Sequence, residues 1–524
     1  MSTSLYGNVE TTFKKKYRNE LIVSTNTSNI SMAENSSPIW KSPILLIELC
    51  LLSFGAYFAF DIPSSLSKRI IDILEIDVLS FCFFYTAYYV PSIFLTFFSE
   101  GIVKNVGLSL SLALSSIACV LSQGLIGLVM WSVHKPYWLV LGARMLLGSA
   151  NELLVACQYG FAIKLVKWFQ VRSTFHAILM TSRLASVLNM CFAEDIYVWI
   201  LHWSDLSANN VLAITVSIGT AFCVLALIDA LFLIAYDKWK YRWAPKVKPT
   251  NIDVEEGFYF SQLRKFSAQA WLLFILCGIF YSALLPFISL GKIFFAERYH
   301  ADVTVASYLN SIIYFTALFL TPLTNFIVRR TGRNIIWIIF SNVLAMAVHL
   351  LIIFTWINPI ILMVILACSF SIMNASLWEM VPLLVTNNCV STAFVCMASI
   401  EYIFLSLSTP LAGLIFQLYG CCVLSVYFFV LVSLSLTISV VMCAVDAIKT
   451  LGLSWSPYYR DKYPLPNSRT EFNIQESKNH SLFSETVYIN SIEITPTENN
   501  KEEIFGSLFM DENDSSDDSY SYFD

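Results

Sequence analysis

Glu152, Arg183 and Glu401 each interrupt a long apolar stretch. At a rise of 1.5 Å per residue they lie about fifteen, ten and ten residues into those stretches, near the middle of a helical membrane crossing. A charge at that depth costs at least ~2.5–3.5 kcal/mol on insertion scales, so each is a functional candidate by default. A carboxylate and a guanidinium together offer a clamp for a zwitterion, one binding an ammonium and the other a carboxylate. The competing reading of Glu152 and Arg183 is a structural ion pair locking adjacent helices, because buried charges usually pair. A mixed role joins the two, the pair loosening when a ligand arrives. Glu401 has no obvious partner nearby in sequence, which leaves three roles open: staying protonated, holding a cationic group, or relaying a proton.

Other residues surround these three. Tyr281 and Pro286 share one stretch; Trp378 and Glu379 share another, with Pro382 following. Tyr281 and Trp378 read as lining residues as readily as packing ones, and Pro286 as a gating kink or a passive bend. Arg144 falls on the face of Glu152 roughly 12 Å away, a structural or vestibule position. No G-x-x-x-x-G-K-[ST] phosphate loop occurs, and no Ser-His-Asp, H-E-x-x-H or Cys-His arrangement with catalytic spacing. The 6 histidines (His134, His176, His202, His300, His349 and His480) are scattered without ligand spacing. The expectation is a protein that is not an enzyme, needs no metal or cofactor and binds no nucleic acid.

The elements that must position these residues follow from composition. Hydrophobic residues make up 57% of the 524, charged residues only 13%, and mean hydropathy is +0.65. A soluble domain carries roughly 25% charged residues. Apolar runs long enough to cross a ~30 Å hydrocarbon layer recur without period-2 alternation, which implies a helical bundle rather than a barrel. Most of the 13 cysteines lie inside these runs, as Cys119, Cys157, Cys191 and Cys277 do, and read as small hydrophobes. Cys421 and Cys422 are adjacent near a turn, and nothing in the sequence supports a bridge between them. Residues 1–37 are polar and contain no cleavable signal peptide.

Twelve spans are predicted at about 43–60, 78–98, 107–131, 137–163, 174–197, 209–235, 270–291, 304–328, 334–355, 359–385, 391–417 and 421–446. The polar segment 236–268 divides them into a first bundle, 43–235, and a second, 269–448, the layout of two repeats around a central cavity. With both termini cytosolic, 19 Lys and Arg lie on the cytosolic side, Lys14, Lys104, Lys167 and Arg329 among them. The other side holds Lys68, Arg69, Lys135, Lys292 and Arg298, so both ends are placed in the cytosol. The arm 1–42 and the acidic tail 449–524 are expected to be disordered. Tyr520 to Phe523 fits a Tyr-x-x-apolar sorting pattern that is short and common.

At the fourth and fifth spans the residues become specific. GARMLLGSANELLVACQ at 142–158, KWF at 167–169 and SRLASVLN at 182–189 resemble the major facilitator superfamily domain-containing protein 1 family of lysosomal dipeptide transporters. FYSALLPFISLGKIFF at 280–295, RRTGRNIIW at 329–337, LW at 377–378, SIEY at 399–402 and YFAFDIPSSL at 57–66 extend the resemblance in order over about 43–448. It implies an all-α major facilitator fold and a uniporter exporting dipeptides, especially those containing Lys, Arg or His, from lysosome to cytosol. It implies substrate recognition by Glu152 and Arg183, a lysosomal location, and a shielding partner, a heavily glycosylated lysosomal membrane protein. A homodimer is a further expectation. The cytosolic arm holds glycosylation sequons at Asn26, Asn29 and Asn35, and no sequon falls in a lumenal loop.

The chain departs from the family at several points. The usual acidic gating motif is eroded in SEGIVKNVG, with Ser99 at the acidic position, and in the loop carrying Arg329, Arg330 and Arg333, where Arg329 takes that position. These three arginines and Pro286 are the candidate gating residues. The glycine-rich turn before Glu152 is Ala150-Asn151, and Glu401 replaces a Gln, adding negative charge that favours cationic cargo or introduces proton coupling. An acidic dileucine signal is not evident around Leu21-Ile22. Two other readings remain: a proton-coupled carrier of another organic ion with Glu401 as proton site, and a non-transporting receptor or scaffold that works through its tail.

Overall fold

A computed structural model describes residues 43–165, 171–241, 260–386, 389–449 and 453–456. The N-terminal arm, most of the acidic tail, KWF at 167–169 and the middle of the predicted central loop lie outside the described residues. So do the three sequons of the arm and the Tyr520 pattern.

Eleven helices among the described residues are long and apolar enough to cross a bilayer. The last, Val390–Lys449, is broken at Gly420, where φ is 76° and ψ −173°. A side chain is strained in that conformation, and glycine adopts it freely. The break turns one helix into two crossings, so the described residues make twelve. They are Ile44–Ser65, Val78–Val106, Leu108–Trp131, Tyr137–Leu165, Val171–Trp203, Ala208–Tyr241, Ala268–Arg298, Val303–Thr331, Asn334–Phe354, Pro359–Leu384 and the two parts of Val390–Lys449. They are called spans one to twelve below. Most run beyond the predicted limits, because helical hydrogen bonding continues past the last apolar residue into the interface. Span six thus takes in residues first assigned to the central loop. A short amphipathic helix, Ser67–Leu74, follows span one.

Side-chain caps fix the starts of spans two and seven. Asp77 accepts from the Ser80 N–H at 2.9 Å before span two, and Ser267 from Ala270 at 3.2 Å before span seven. The cap bond lowers the pKa of the Asp77 carboxyl, which stands outside the spans.

Pairing between spans repeats with an offset of six. Span two packs on four, three on four and three on six; eight packs on ten, nine on ten, and nine on the span eleven–twelve helix. Spans one with five and seven with eleven follow the same rule, and the halves meet through two with eleven, five with eight and one with seven. Span seven is the most enclosed crossing, whereas side chains such as Leu128 and Phe319 face outward where lipid would lie. Without water to drive helix association, close backbone approach matters. A Cβ at Gly148 would stand 2.1 Å from the Tyr88 carbonyl oxygen, so only glycine lets span four reach span two.

Prolines within the spans create the complementary need. Each lacks an N–H and frees the carbonyl four residues earlier. Pro63 frees that of Ala59, which accepts from Arg144 Nη1 at 3.2 Å; Nη2 and Nε of Arg144 reach Phe60 and Phe84 carbonyls at 3.1 and 3.3 Å. Arg144 is thus a structural clasp between spans four, one and two. Pro286 frees Ser282, which accepts from Ser408 Oγ at 2.9 Å; Pro410 frees Ser406, which accepts from Thr86 Oγ1 at 3.2 Å across the two halves.

Gly148→Ala is expected to push spans two and four apart and destabilise the protein by about 1–3 kcal/mol. Thermal unfolding in detergent should show a lowered Tm; an unchanged Tm would mean the approach is not close.

Candidate functional site

Glu152, on span four, is held from the other half of the molecule. Its Oε2 accepts from the Tyr402 hydroxyl of span eleven at 3.1 Å, and Tyr402 stacks on Tyr89 of span two with ring centroids 6.0 Å apart. The neighbouring Asn151 donates to the Tyr88 hydroxyl at 2.7 Å. Arg183, on span five, is likewise held from across the molecule. Its Nη1 donates to Thr321 Oγ1 of span eight at 2.5 Å, and its guanidinium lies 4.9 Å over the Phe370 ring of span ten. Glu152 and Arg183 form no ion pair with each other among the described residues. Spans four and five belong to the first half, so two opposite charges are presented by one half and bonded to the other.

The remaining candidates fill the space around them. Tyr281 meets Phe370 edge-on at 6.3 Å and donates to Asn374 Oδ1 at 3.4 Å. The Glu401 Oε2 accepts from the Cys277 thiol at 3.7 Å, a weak donor for a carboxylate. Tyr281 lies within electrostatic reach of both Glu401 and Arg183. Trp378 stacks on Phe394 at 6.0 Å. Glu152 and Glu401 are both partly accessible. Glu401 sits beside Tyr402, so one turn of span eleven carries both an acid and the hydroxyl that holds Glu152.

The proposed gating residues separate. Arg329, at the end of span eight, pairs through Nε with Glu379 of span ten and places Nη2 2.8 Å from His176 Nε2 of span five. Since arginine only donates, a hydrogen bond there has the His176 ring nitrogen as acceptor. Arg329 therefore bridges the halves at the membrane face shared by the start of span one and the end of span twelve. Arg330 and Arg333 are exposed on that face, and the Arg333 N–H donates to the Trp455 carbonyl at 3.3 Å. Pro286 is buried within span seven, away from this bridge.

Several members of this site carry no signal in the sequence. Thr321, Phe370 and Asn374 are ordinary residues of apolar helices, and only packing reveals their role. His176 was among the scattered histidines. Tyr402 had one cue, its place beside Glu401. Cys421 and Cys422 are free thiols.

Twelve spans in two six-helix halves, with opposed charges midway between them, define a membrane transporter of the major facilitator superfamily. Solved transporter structures share the fold: a bacterial homologue of the human lysosomal transporter Spinster, inward-facing and occupied, matches with a TM-score of 0.59 and 12% identity, covering 80% of this chain and 100% of that one. No family model matches the chain. Among curated proteins, the human lysosomal dipeptide transporter MFSD1 is 30% identical over 420 residues, which is 80% of this chain and 89% of the relative. Its Danio rerio counterpart is 30% identical over 424 residues, 81% and 91% of the two chains. The chain belongs to the MFSD1 family: it is a multi-pass membrane protein of a lysosomal transporter family and a transporter rather than an enzyme.

Arg329→Gln removes a cation that spans the two halves at one membrane face. Transport rate is expected to change by about tenfold with substrate KM nearly constant. A KM change with unaltered rate, in initial-rate uptake by proteoliposomes, would place Arg329 in binding instead.

Proposed function

We propose that the chain moves dipeptides by alternating access, with Glu152 holding the ammonium end and Arg183 the carboxylate end. The carrying observation is that each charge is bonded to the opposite half, Glu152 to Tyr402 and Arg183 to Thr321, and not to the other. A ligand that takes over these contacts draws on both halves, as a cargo must if binding is to bias their rocking. A free amino acid has both charges on one carbon, whereas two extended residues separate them by about 7 Å. The relatives are named lysosomal dipeptide transporters, which supports this cargo and a lysosomal membrane.

The candidate set holds two carboxylates, Glu152 and Glu401, and one guanidinium, and with both carboxylates ionised it favours dipeptides bearing Lys, Arg or protonated His. The Lys and Arg asymmetry supports a cytosolic position for the face at which Arg329 stands. Export from lumen to cytosol belongs to the same reading, its direction set by the dipeptide gradient. An accessory glycosylated membrane protein and a homodimer belong to the same reading, the former because no sequon stands in a far-side loop.

Glu152→Gln and Arg183→Ala are each expected to reduce dipeptide uptake into proteoliposomes by about ten- to a hundredfold or more, with folding intact. Unchanged flux in both would overturn the clamp. A second reading, proton coupling through Glu401, is favoured by its having only a thiol as hydrogen-bond partner. It predicts that a pH gradient drives uptake and that Glu401→Gln abolishes that drive; equal gradient dependence in both proteins would exclude it.

A further inference from the structure

At the membrane face opposite Arg329, a single carboxylate is shared between two cations from different halves. Glu194, near the end of span five, has a fully buried side chain. Its Oε2 accepts from Lys292 Nζ of span seven at 2.5 Å, and its Oε1 from Arg69 Nε and Nη2 at 3.1 and 3.0 Å. Lys292, read from the sequence as a far-side loop charge, is in fact buried inside span seven, where Nζ also reaches the Ser65 carbonyl at 2.6 Å. Arg69, in the short helix after span one, is 30% exposed, and its guanidinium lies 4.8 Å over the Tyr197 ring of span five.

The two cations differ in which half they belong to. Glu194 and Arg69 are both in the first half, and Lys292 is in the second. The same face carries further bonds between the halves: Tyr308 to Asp195 Oδ2 at 2.7 Å, Asn310 to Ser64 Oγ at 3.3 Å, and Ser64 to the Ile288 carbonyl at 2.9 Å. The halves are therefore closed against each other at this end. Opening it must draw Lys292 away from Glu194.

Breaking a buried ion pair is costly chiefly because a charge is left uncompensated. Here the bidentate bond from Arg69 travels with Glu194, and Lys292 enters a vestibule that has filled with water. We propose that Arg69 is the retained partner of the far-face gate: Lys292 is the latch, Glu194 its catch, and Arg69 keeps the catch neutralised while the latch is open. Arg69 is thus a positioning residue for the transport cycle, bound to the far end of the span that carries Arg183. This role rests on alternating access alone and holds whatever the cargo is.

The test reads gate opening without cargo. Ser289→Cys, buried on span seven close to Lys292, reports access from the far face through labelling by a membrane-impermeant maleimide. The signal is taken above that of the full-length chain lacking this cysteine. Lys292→Met should raise the labelling rate by about tenfold, since Glu194 keeps Arg69 and the latch is gone. Arg69→Gln should lower it by about tenfold, because opening would now strand Glu194. Glu194→Gln added to Arg69→Gln should restore labelling to at least the starting rate, and Arg69→Lys should keep most of it. Labelling of Arg69→Gln at the unmodified rate, or a double variant as slow as the single one, would overturn the proposal. Because no dipeptide is present, failure here leaves the cargo assignment untouched, and failure of the cargo assignment leaves the gate.

Discussion

Inside a bilayer no water is available to a polar group, so every carbonyl, hydroxyl and charge must find its partner within the protein or stay unpaired at a cost of several kcal/mol. Much of this protein's architecture follows from that constraint. Helices that cross the hydrocarbon satisfy their own backbones, except where a proline removes a donor. At Pro63, Pro286 and Pro410, Arg144, Ser408 and Thr86 supply the missing hydrogen from a neighbouring span. The bonds made in this way are interhelical by necessity. The prolines therefore tie the bundle together as they bend it.

The same constraint shapes the transport machinery. Side-chain bonds between the halves occur at three levels: Arg329 with His176 at one face, Glu152 with Tyr402 and Arg183 with Thr321 midway, and Lys292 with Glu194 at the other face. Rocking the halves must break one outer set while the other holds. In the proposed binding mode, a cargo at the middle level replaces the bonds it disrupts. At the far face Arg69 stays with Glu194 when Lys292 departs. Polar bonds at these two levels thus have a substitute waiting, which keeps the two arrangements close enough in energy to interconvert.

Much of this was legible in the sequence. Apolar length and charge scarcity imply twelve crossings, and the crossings form even where span eleven runs into span twelve, because Gly420 breaks the helix. Depth alone singles out Glu152, Arg183 and Glu401, since a midplane charge is too costly to be incidental. Partners were not legible. Whether Glu152 meets Arg183 depends on helix rotation and on the hydroxyls of Tyr402 and Thr321, neither of which any spacing rule finds. Lys292 was misplaced for a related reason: counting basic residues treats one near a span end as a loop charge, and only packing shows that Glu194 has drawn it inside. Arg330 and Arg333 share a motif with Arg329, yet they lie exposed while Arg329 reaches the other half.

The central claim is that two opposed charges, held apart by the two halves, take the two ends of one zwitterionic ligand. It is tested most directly by calorimetric titration of the purified protein with a Lys-containing dipeptide and its two end-blocked forms, one N-acetylated and one C-amidated. Each block removes one charge and leaves the side chains in place. Binding of the free dipeptide and loss of at least about tenfold in affinity with either block is the predicted result, each lost charged contact costing about 1.5–3 kcal/mol. Equal affinity for free and blocked forms would contradict it.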